Sequence, residues 1–563
     1  MDLITEHRVK KEVESFIASI DQSAICDLAS SFHPAKKQCR IFSDVKKGGF
    51  NVCFPVEFAQ DAVDDGKPER WMVRVPVLPR LAFAEEKIRG EIATMKFIAE
   101  KTTIPIPKLH GYSVNSNNQL GLPFLLLGFI EGKPLFTVKF RELPRAQRCE
   151  LFSKLGDIYI QLFQHKFDRI GALTLDSKDE NWVFAHNRPL SVLMNDQALA
   201  GIDPPFVGPN HTFQSTIDFV YTIHQALLND FHQGRDSIMG EADARGYLYS
   251  LHMTRRFLME WVQPEHNHGP FILNHGDLRS ANILVDDDLN ILSVLDWEWS
   301  HTIPVQMFVP PSWLDGLELV GTAKMPGRLI YESELFNFRM ETRRREIKYY
   351  PGCRTFDDLP LEKIWAKSLK SPAVFIALGL LQPLYFGNIY WSVIEYDYYG
   401  KERDNDKKRL EEFYSLEKNE KEREAIQRKL QELDLFEKEC DKLGIQRERK
   451  TTQQTNPPLA EPPVTTNVDS YARSSLNRLR TSIENLVLAT SLQGQTISRS
   501  RWVFIGARVI GGRSTSANAH GRAIGLSGHH SASHLAIVGF YQEHLGLSDW
   551  VLPDFMTPPP TGF

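Results

Sequence analysis

The sequence is short of paired cysteines, of net charge of either sign and of uninterrupted apolar runs, and each shortage removes a class of protein. Its six cysteines (Cys26, Cys39, Cys53, Cys149, Cys353 and Cys440) are scattered over 563 residues without one Cys-X-X-Cys pair. That spacing supports neither a zinc knuckle nor a disulfide framework, so reduced thiols are expected. A formal net charge of -5 gives no global basic field of the kind that gathers nucleic acid or an anionic membrane. Neither is expected as a partner, and an acidic ligand must be held locally. The opening MDLITEHRVKKEVESF alternates charge with apolar residues and lacks the apolar core of a signal peptide, which points to a cytoplasmic protein. Residues 372–394, PAVFIALGLLQPLYFGNIYWSVI, approach the length of a membrane span, roughly 20 residues. Gln382, Pro383, Gly387 and Asn388 interrupt the run, so a buried helix pair in a helical lobe is expected instead. No internal repeat is present.

What the chain does have is length enough for two or more packed cores and a tail. After an N-terminal helix, residues 40–80 read as strands and turns: CRIFSDVKKGGFNVCFPVEF, an acidic turn at DAVDDGKPE, then WMVRVPVL. FAEEKIRGEIATMKFIAEK shifts to helical period, with Ile88, Ile92, Met95 and Ile98 near one face. TTIPIPKLHGYS breaks it with prolines, and PFLLLGFIEG returns as a short apolar strand. Strands, one main helix and a returning strand make a small sheet lobe. Beyond Gly132 helical patterns dominate, first in LPRAQRCELFSKLGDIYIQLFQHKF and then around residues 215–232 and 244–263, which makes a larger second lobe.

The expected division is a helical segment over 1–35, a sheet lobe over 36–131, a helical lobe over 132–398, a charged helix over 399–450, a linker over 451–500 and a tail over 501–563. Leu410, Phe413, Leu430 and Leu433 are too sparse for a sustained heptad, so the charged segment reads as a solvated helix. TTQQTNPPLAEPPVTT is a linker by composition, and the Ser, Gly, His and Arg mixture after residue 495 predicts little order.

The chemistry is concentrated in FILNHGDLRSANILVDDDLNILSVLDWEWS, residues 271–300. An apolar run from Phe271 to Leu273 leads into a polar loop; strands follow at Ile283–Val285 and Ile291–Leu295, joined by the acidic turn DDD. Asp277 and Asn282 precede this hairpin and Asp296 follows its second strand, so the hairpin brings the three together. Phosphoryl transfer needs such a set, because positioning and metal charge stabilise the transferred group. Asp277 can orient or deprotonate an attacking hydroxyl; Asn282 and Asp296 offer the hard oxygen ligands that magnesium prefers; His275 can brace the loop. Glu298 either adds a carboxylate for a metal or faces solvent. Arg279 either reaches the γ-phosphate or makes a surface ion pair.

In HGD (His275 to Asp277) and DWE (Asp296 to Glu298) the sequence resembles the aminoglycoside phosphotransferase and choline kinase-like family, over about residues 40–395. The resemblance implies an α+β, protein kinase-like two-lobed fold, with ATP and magnesium as cofactors and a small-molecule hydroxyl as acceptor. It also implies Asp277 as catalytic base and Asn282 and Asp296 as metal ligands. The paired glycines Gly48 and Gly49 in KKGGFN stand where such folds place a phosphate-covering loop, although alone they make a hairpin turn. Arg74 in WMVRVP stands where relatives have a phosphate-holding lysine, with Glu91 its natural ion-pair partner and Glu86 the second choice. Leu127, Gly128 and Phe129 replace a common Met-Glu-Tyr run in the segment that holds adenine through its backbone.

The reading is therefore an ATP-dependent phosphotransferase acting on a small-molecule alcohol, with a nucleotide-binding pseudokinase or scaffold as the alternative, motivated by Arg74 and the altered linker. A protein Ser/Thr kinase is disfavoured, since DWE lacks the glycine that precedes an activation segment and no Ala-Pro-Glu follows. The insert from Asn187 to Pro270 and the helices after Pro310 are expected to build the acceptor pocket, with no residue set naming the acceptor.

Overall fold

The computed structural model describes residues 1–446, apart from 61–66, 184–186, 203–206, 351–359 and 401–402, and the side chains of 403–405. The core of the acidic turn at DAVDDGKPE, the linker and the tail therefore lie outside the described residues. The chain divides into two units, Met1–Ser475 and Leu476–Phe563, and everything below concerns the first.

Two helices, α1 (Leu3–Ser19) and α2 (Gln22–Phe32), replace the single N-terminal helix expected. The break has a local cause: Asp21 takes an extended conformation and accepts the Ser23 N–H at 2.8 Å, capping a new helix. The sheet that follows contains β1 (Cys39–Ile41), β2 (Lys46–Lys47), β3 (Asn51–Phe58), β4 (Arg70–Pro76), β5 (Leu109–Ser113) and β6 (Phe124–Gly128). Its order is β1-β3-β4-β6-β5 with β2 on β3, and every pairing is antiparallel. Strand β5 corrects the reading of TTIPIPKLHGYS as a plain break: the prolines stop the helix, but Leu109–Ser113 then pairs with β6, with a register shift between Leu109 and Gly111 that hides the alternation.

Strand parity places the side chains. Val73 and Val75 of β4, Val52, Phe54 and Val56 of β3, and Phe124 and Leu126 of β6 pack with Ile25, Leu28 and Ala29 of α2 in one core. The alternate residues Arg74, Leu125 and Leu127 face the other way, towards α3 (Ala84–Lys101). On α3 the anticipated face, Ile88, Ile92, Met95 and Ile98, is buried in the second and larger core.

That core continues into the helical lobe, through α4 (Arg145–Phe163), α5 (Val192–Leu199), α6 (Thr216–Gln233) and α7 (Glu241–Trp261). The apolar run after Pro372 folds as a helix over Ala373–Leu381, a bend at Pro383–Tyr385, and helical turns over Phe386–Ile389, Tyr390–Ile394 and Glu395–Tyr399. Most of it is buried. Among the described residues no single helix is long and apolar enough to cross a membrane; the helices Leu361–Ser368 and Ala373–Leu381 meet at 101°.

The charged segment departs from the solvated helix expected. It forms two helices, Arg403–Ser415 and Glu420–Lys442, and the second buries Ala425, Ile426, Leu433, Phe436 and Cys440. The Tyr414 hydroxyl donates to the Arg245 carbonyl on α7 at 2.8 Å, and Arg245 pairs with Glu411 at 2.8 Å. These helices are therefore a docked layer of the helical lobe.

Candidate active site

The signature segment folds as its pattern suggested. The strand Phe271–Asn274 runs into the HGD loop, and the hairpin of Ile283–Val285 with Ile291–Val294 follows. Asp286 ties the DDD turn by accepting the Asp288 N–H at 3.0 Å and the Asn290 N–H at 2.8 Å. Two lysines also reach the turn from outside, Lys133 to Asp287 Oδ1 and Lys154 to Asn290 Oδ1, each at 2.8 Å.

Gly276 is the residue that lets the loop exist. Its φ is +79°, and a Cβ there would lie 2.2 Å from the Trp299 carbonyl oxygen. Only glycine accepts both the left-handed backbone and the contact. On either side, His275 and Asp277 are then locked. His275 is buried, its Nε2 lies 2.7 Å from the Leu295 carbonyl, and its Nδ1 accepts the Asp277 N–H at 3.3 Å. Burial pushes its pKa down to about 4, so the ring is neutral, with the proton on Nε2. It holds the loop in shape and carries no charge into the site.

Asp277 sits beside Asn282, whose amide nitrogen donates to the Asp277 carbonyl at 2.9 Å and to its Oδ2 at 3.1 Å. With its nitrogen so committed, Asn282 is left with its oxygen as the group available to a cation. Burial raises the Asp277 carboxyl to about 6, against the opposing pull of Arg279 and Asn282. Arg279 contacts Asp277 Oδ2 at 3.2 Å and is largely exposed, so it makes the ion pair left open as one of its two roles.

Asp296 has φ 63°, ψ 54°, a left-handed conformation at the hairpin's exit that few non-glycine residues adopt. Its carboxylate, 41% exposed, meets Arg74 Nη2 at 3.1 Å. Arg74 is almost wholly buried and also pairs with Glu91 and, at 3.0 Å, with Glu298. Of its two candidate partners Glu91 is the one used, because Glu86 is held by Arg188 at 2.9 Å. Glu298 is committed as well: its Oε2 accepts from Asn51 at 2.7 Å, and Lys87 of α3 pairs with the same oxygen. Burial would push the Glu298 carboxyl up, but Lys87 and Arg74 outweigh it and hold it down at about 2. Glu298, expected either to add a carboxylate for a metal or to face solvent, is buried and forms a charged tie between β3, β4, α3 and the signature segment.

Lys87 and Asn51 are the members of this network that sequence reasoning missed. Lys87 lies one turn before Glu91 on α3, and that spacing was the only available signal. Arg74 Nε and Nη2, Asn51 Oδ1 and Glu91 Oε2 are buried without an aligned hydrogen-bond partner. An unsatisfied buried donor costs free energy unless something else completes it; Nη2 already lies in ion-pair contact with Asp296 and Glu298, which leaves Nε as the Arg74 donor without an acceptor. Among the described residues no cluster of three His, Cys, Asp or Glu stands ready for a metal. Asn282 and Asp296 suit a magnesium ion that takes its remaining ligands from phosphate and water.

Gly48 and Gly49 cap the β2–β3 turn, where the Gly48 N–H donates to the Asn51 carbonyl at 2.8 Å. They line one cavity of about 1080 Å³ with Arg74, Leu127, Phe129, Asp277, Arg279, Asp296 and Glu298. Glu91 lies behind Arg74, in ion-pair contact with it. The linking strand narrows the backbone recognition expected of it: the Gly128 N–H donates to Lys108 O at 2.8 Å and the Phe129 N–H to Arg70 O at 3.0 Å. Only other backbone groups of this segment are left for adenine.

A small antiparallel sheet lobe, a helical lobe and a carboxylate–amide–carboxylate set at their junction define a kinase-like phosphotransferase architecture. Residues 57–306 match the family model described as "Phosphotransferase enzyme family". Among curated proteins, "Altered inheritance of mitochondria protein 9, mitochondrial" of Yarrowia lipolytica is 23% identical over 300 residues, covering 47% of this chain and 51% of that protein. The protein of the same name from Saccharomyces cerevisiae (strain YJM789) is 39% identical over 127 residues, 21% of this chain and 20% of that one. The chain thus spans about half, or less, of the length of these relatives. Among solved structures, "Macrolide 2'-phosphotransferase type I" covers 67% of this chain and 97% of its own at 14% identity and a TM-score of 0.33. The GDP complex of wild-type aminoglycoside 2'-phosphotransferase-IIIa covers 63% and 95% at 13% identity and a TM-score of 0.31. Scores this low carry no argument, and the fold rests on its own topology.

Proposed function

We propose that this chain is an ATP-dependent small-molecule kinase that moves the γ-phosphate to a hydroxyl acceptor, with Asp277 as base and magnesium held by Asn282 and Asp296. The observation that carries the proposal is Asp277 itself: a half-buried carboxylate, raised towards neutrality and oriented by Asn282 at 3.1 Å, facing the same cavity as Asp296 and Arg74. A base poised near the working pH takes a proton effectively. Arg74 brings a buried guanidinium charge to the cavity wall, and Lys87 and Glu91 keep the surrounding charge balanced. A bound magnesium would supply charge screening for the phosphates.

The test is Asp277→Asn in the full chain, assayed with labelled ATP and a metabolite panel alongside nucleotide binding. Transfer should fall by at least about 10²-fold while ATP affinity stays within about threefold. Full activity in the Asn variant would remove Asp277 as the base.

One observation favours a second reading, a nucleotide-binding pseudokinase or scaffold: Arg74 occupies Asp296 at 3.1 Å, and the Gly128 and Phe129 N–H groups are already engaged. Magnesium-dependent ATP binding without transfer to any acceptor would select it. The proposed compartment is the cytoplasm. The printed name of the relatives carries the word mitochondrial, so fractionation of cells expressing the tagged chain decides the matter.

A further inference from the structure

The cavity that holds Asp277 is much larger than its catalytic end and changes character away from it. At about 1080 Å³ it slightly exceeds the range of about 300–1,000 Å³ that a single drug-sized ligand fills. There is room for a nucleotide and a second molecule. The charged residues lining it are Lys46, Lys47, Arg74, Asp277, Arg279, Asp296, Glu298 and Glu318. The first three belong to the sheet lobe and the next four to the catalytic segment, so Glu318 is the one charge contributed to the rest of the wall by the described residues. The rest of the wall is mainly apolar, from Leu193 of α5, Phe219 and Ile223 of α6, Val309, Trp313 and Leu381, with uncharged polar groups at Thr222, His301 and Gln382. Phe136 and Leu384, which also line the cavity, are 62% and 63% exposed.

We infer that the acceptor is a neutral alcohol carrying a bulky apolar body, its hydroxyl presented to Asp277 and its body laid along the α5, α6 and Ala373–Leu381 wall. A polycationic acceptor would find a lone carboxylate there, Glu318, and would desolvate its other charges against leucine, phenylalanine and tryptophan. An apolar body gains from the same burial. The inference rests on the proposed phosphotransfer. In that step the acceptor oxygen forms a bond to the γ-phosphorus, the bond from that phosphorus to the bridging oxygen of ADP breaks, and the hydroxyl proton passes to the Asp277 carboxylate.

The experiment separates binding from transfer. Trp297, Trp299 and Trp313 all line the cavity, so tryptophan emission of the full chain can be titrated with butanol, hexanol, octanol and kanamycin, without nucleotide. The same acceptors are then offered with labelled ATP and magnesium. Affinity should tighten about three- to fourfold per added methylene, kanamycin should leave the emission unchanged, and octanol should accept label. Thr222→Phe, which adds bulk at a partly exposed position of the α6 wall and spares the core, should weaken octanol by at least about tenfold and butanol far less. Affinity independent of chain length, or unaffected by Thr222→Phe, overturns the apolar acceptor even if another compound is phosphorylated. Chain-length-dependent binding in wild type and Asp277→Asn alike, with no label transferred by either, upholds the apolar site and removes phosphotransfer instead.

Discussion

Two neighbouring residues carry opposite demands on the HGD loop. Gly276 must have no side chain, because a Cβ would stand 2.2 Å from the Trp299 carbonyl oxygen. Gly276→Ala is expected to lose about 1–3 kcal/mol to backbone strain alone, and more to the clash, with activity falling further than stability because Asp277 is displaced. Thermal melts and turnover of one preparation measure both. Asp277 must keep a carboxylate that the site disfavours. Its pKa is raised to about 6 by burial, so kcat/KM should fall tenfold per unit below about pH 6 as the proposed base is protonated. The effect on stability has the opposite sign. A carboxyl whose folded pKa exceeds its unfolded value of about 3.9 stabilises the fold fully below that value and loses the contribution as pH rises through about 6. Asp277→Asn, neutral throughout, should therefore melt above wild type at about pH 8, with the gap closing towards about pH 4. A gap constant with pH would show that the carboxyl is not strained. Asp277, Asn282 and Asp296 could be found in the sequence because one loop and one hairpin bring them together. Lys87 could not: its partner Glu298 lies 211 residues further on, and nothing local to α3 marks a lysine as buried.

At the scale of elements, the junction between the lobes is an exchange of charge among β3, β4, α3 and the turn after Asp296. The resemblance singled out Arg74 through its place in WMVRVP, and α3's apolar period made that helix's orientation legible. What no single element could show is that Arg74 serves three carboxylates at once. A guanidinium can fork between Glu91, Asp296 and Glu298, whereas an ammonium is a single compact charge. Arg74→Lys, which keeps the charge but not the fork, is accordingly expected to lower the melting temperature and raise the KM for ATP several-fold. Lys87→Met should act more severely on folding, because it leaves Glu298 with a buried charge and one cation fewer; breaking such a pair costs about 3–5 kcal/mol. If Arg74→Lys melts like wild type and binds ATP more tightly, the three-carboxylate role of the guanidinium is wrong. Strand β5 was missed for a different reason. A register shift inside a five-residue strand erases the alternation by which such strands are recognised.

For the molecule as a whole, the charged C-terminal helices show how composition can conceal packing. Ile426, Leu433, Phe436 and Cys440 recur at helical spacing, and Lys429 fills the gap in the row by burying its stem while its ammonium reaches the Gly234 carbonyl at the end of α6. Counted as charges, the segment looked solvated. Counted by face, it covers α7 and the end of α6, where Arg235 lies 4.8 Å from the Phe436 ring centroid. This layer backs the helices whose other residues, Phe219 and Ile223, wall the cavity. Phe436→Ala should therefore cost about 3–5 kcal/mol of local stability, whereas Glu439→Ala, which removes only a half-exposed partner of Arg235, should cost no more than about 1 kcal/mol. Amide exchange over Glu420–Lys442 distinguishes the two cases. It should be slow in the wild type, accelerate strongly in Phe436→Ala and hardly change in Glu439→Ala. If that helix already exchanges as fast as an unfolded segment in the wild type, the docked layer does not form in solution, and α6 must hold its side of the cavity without it.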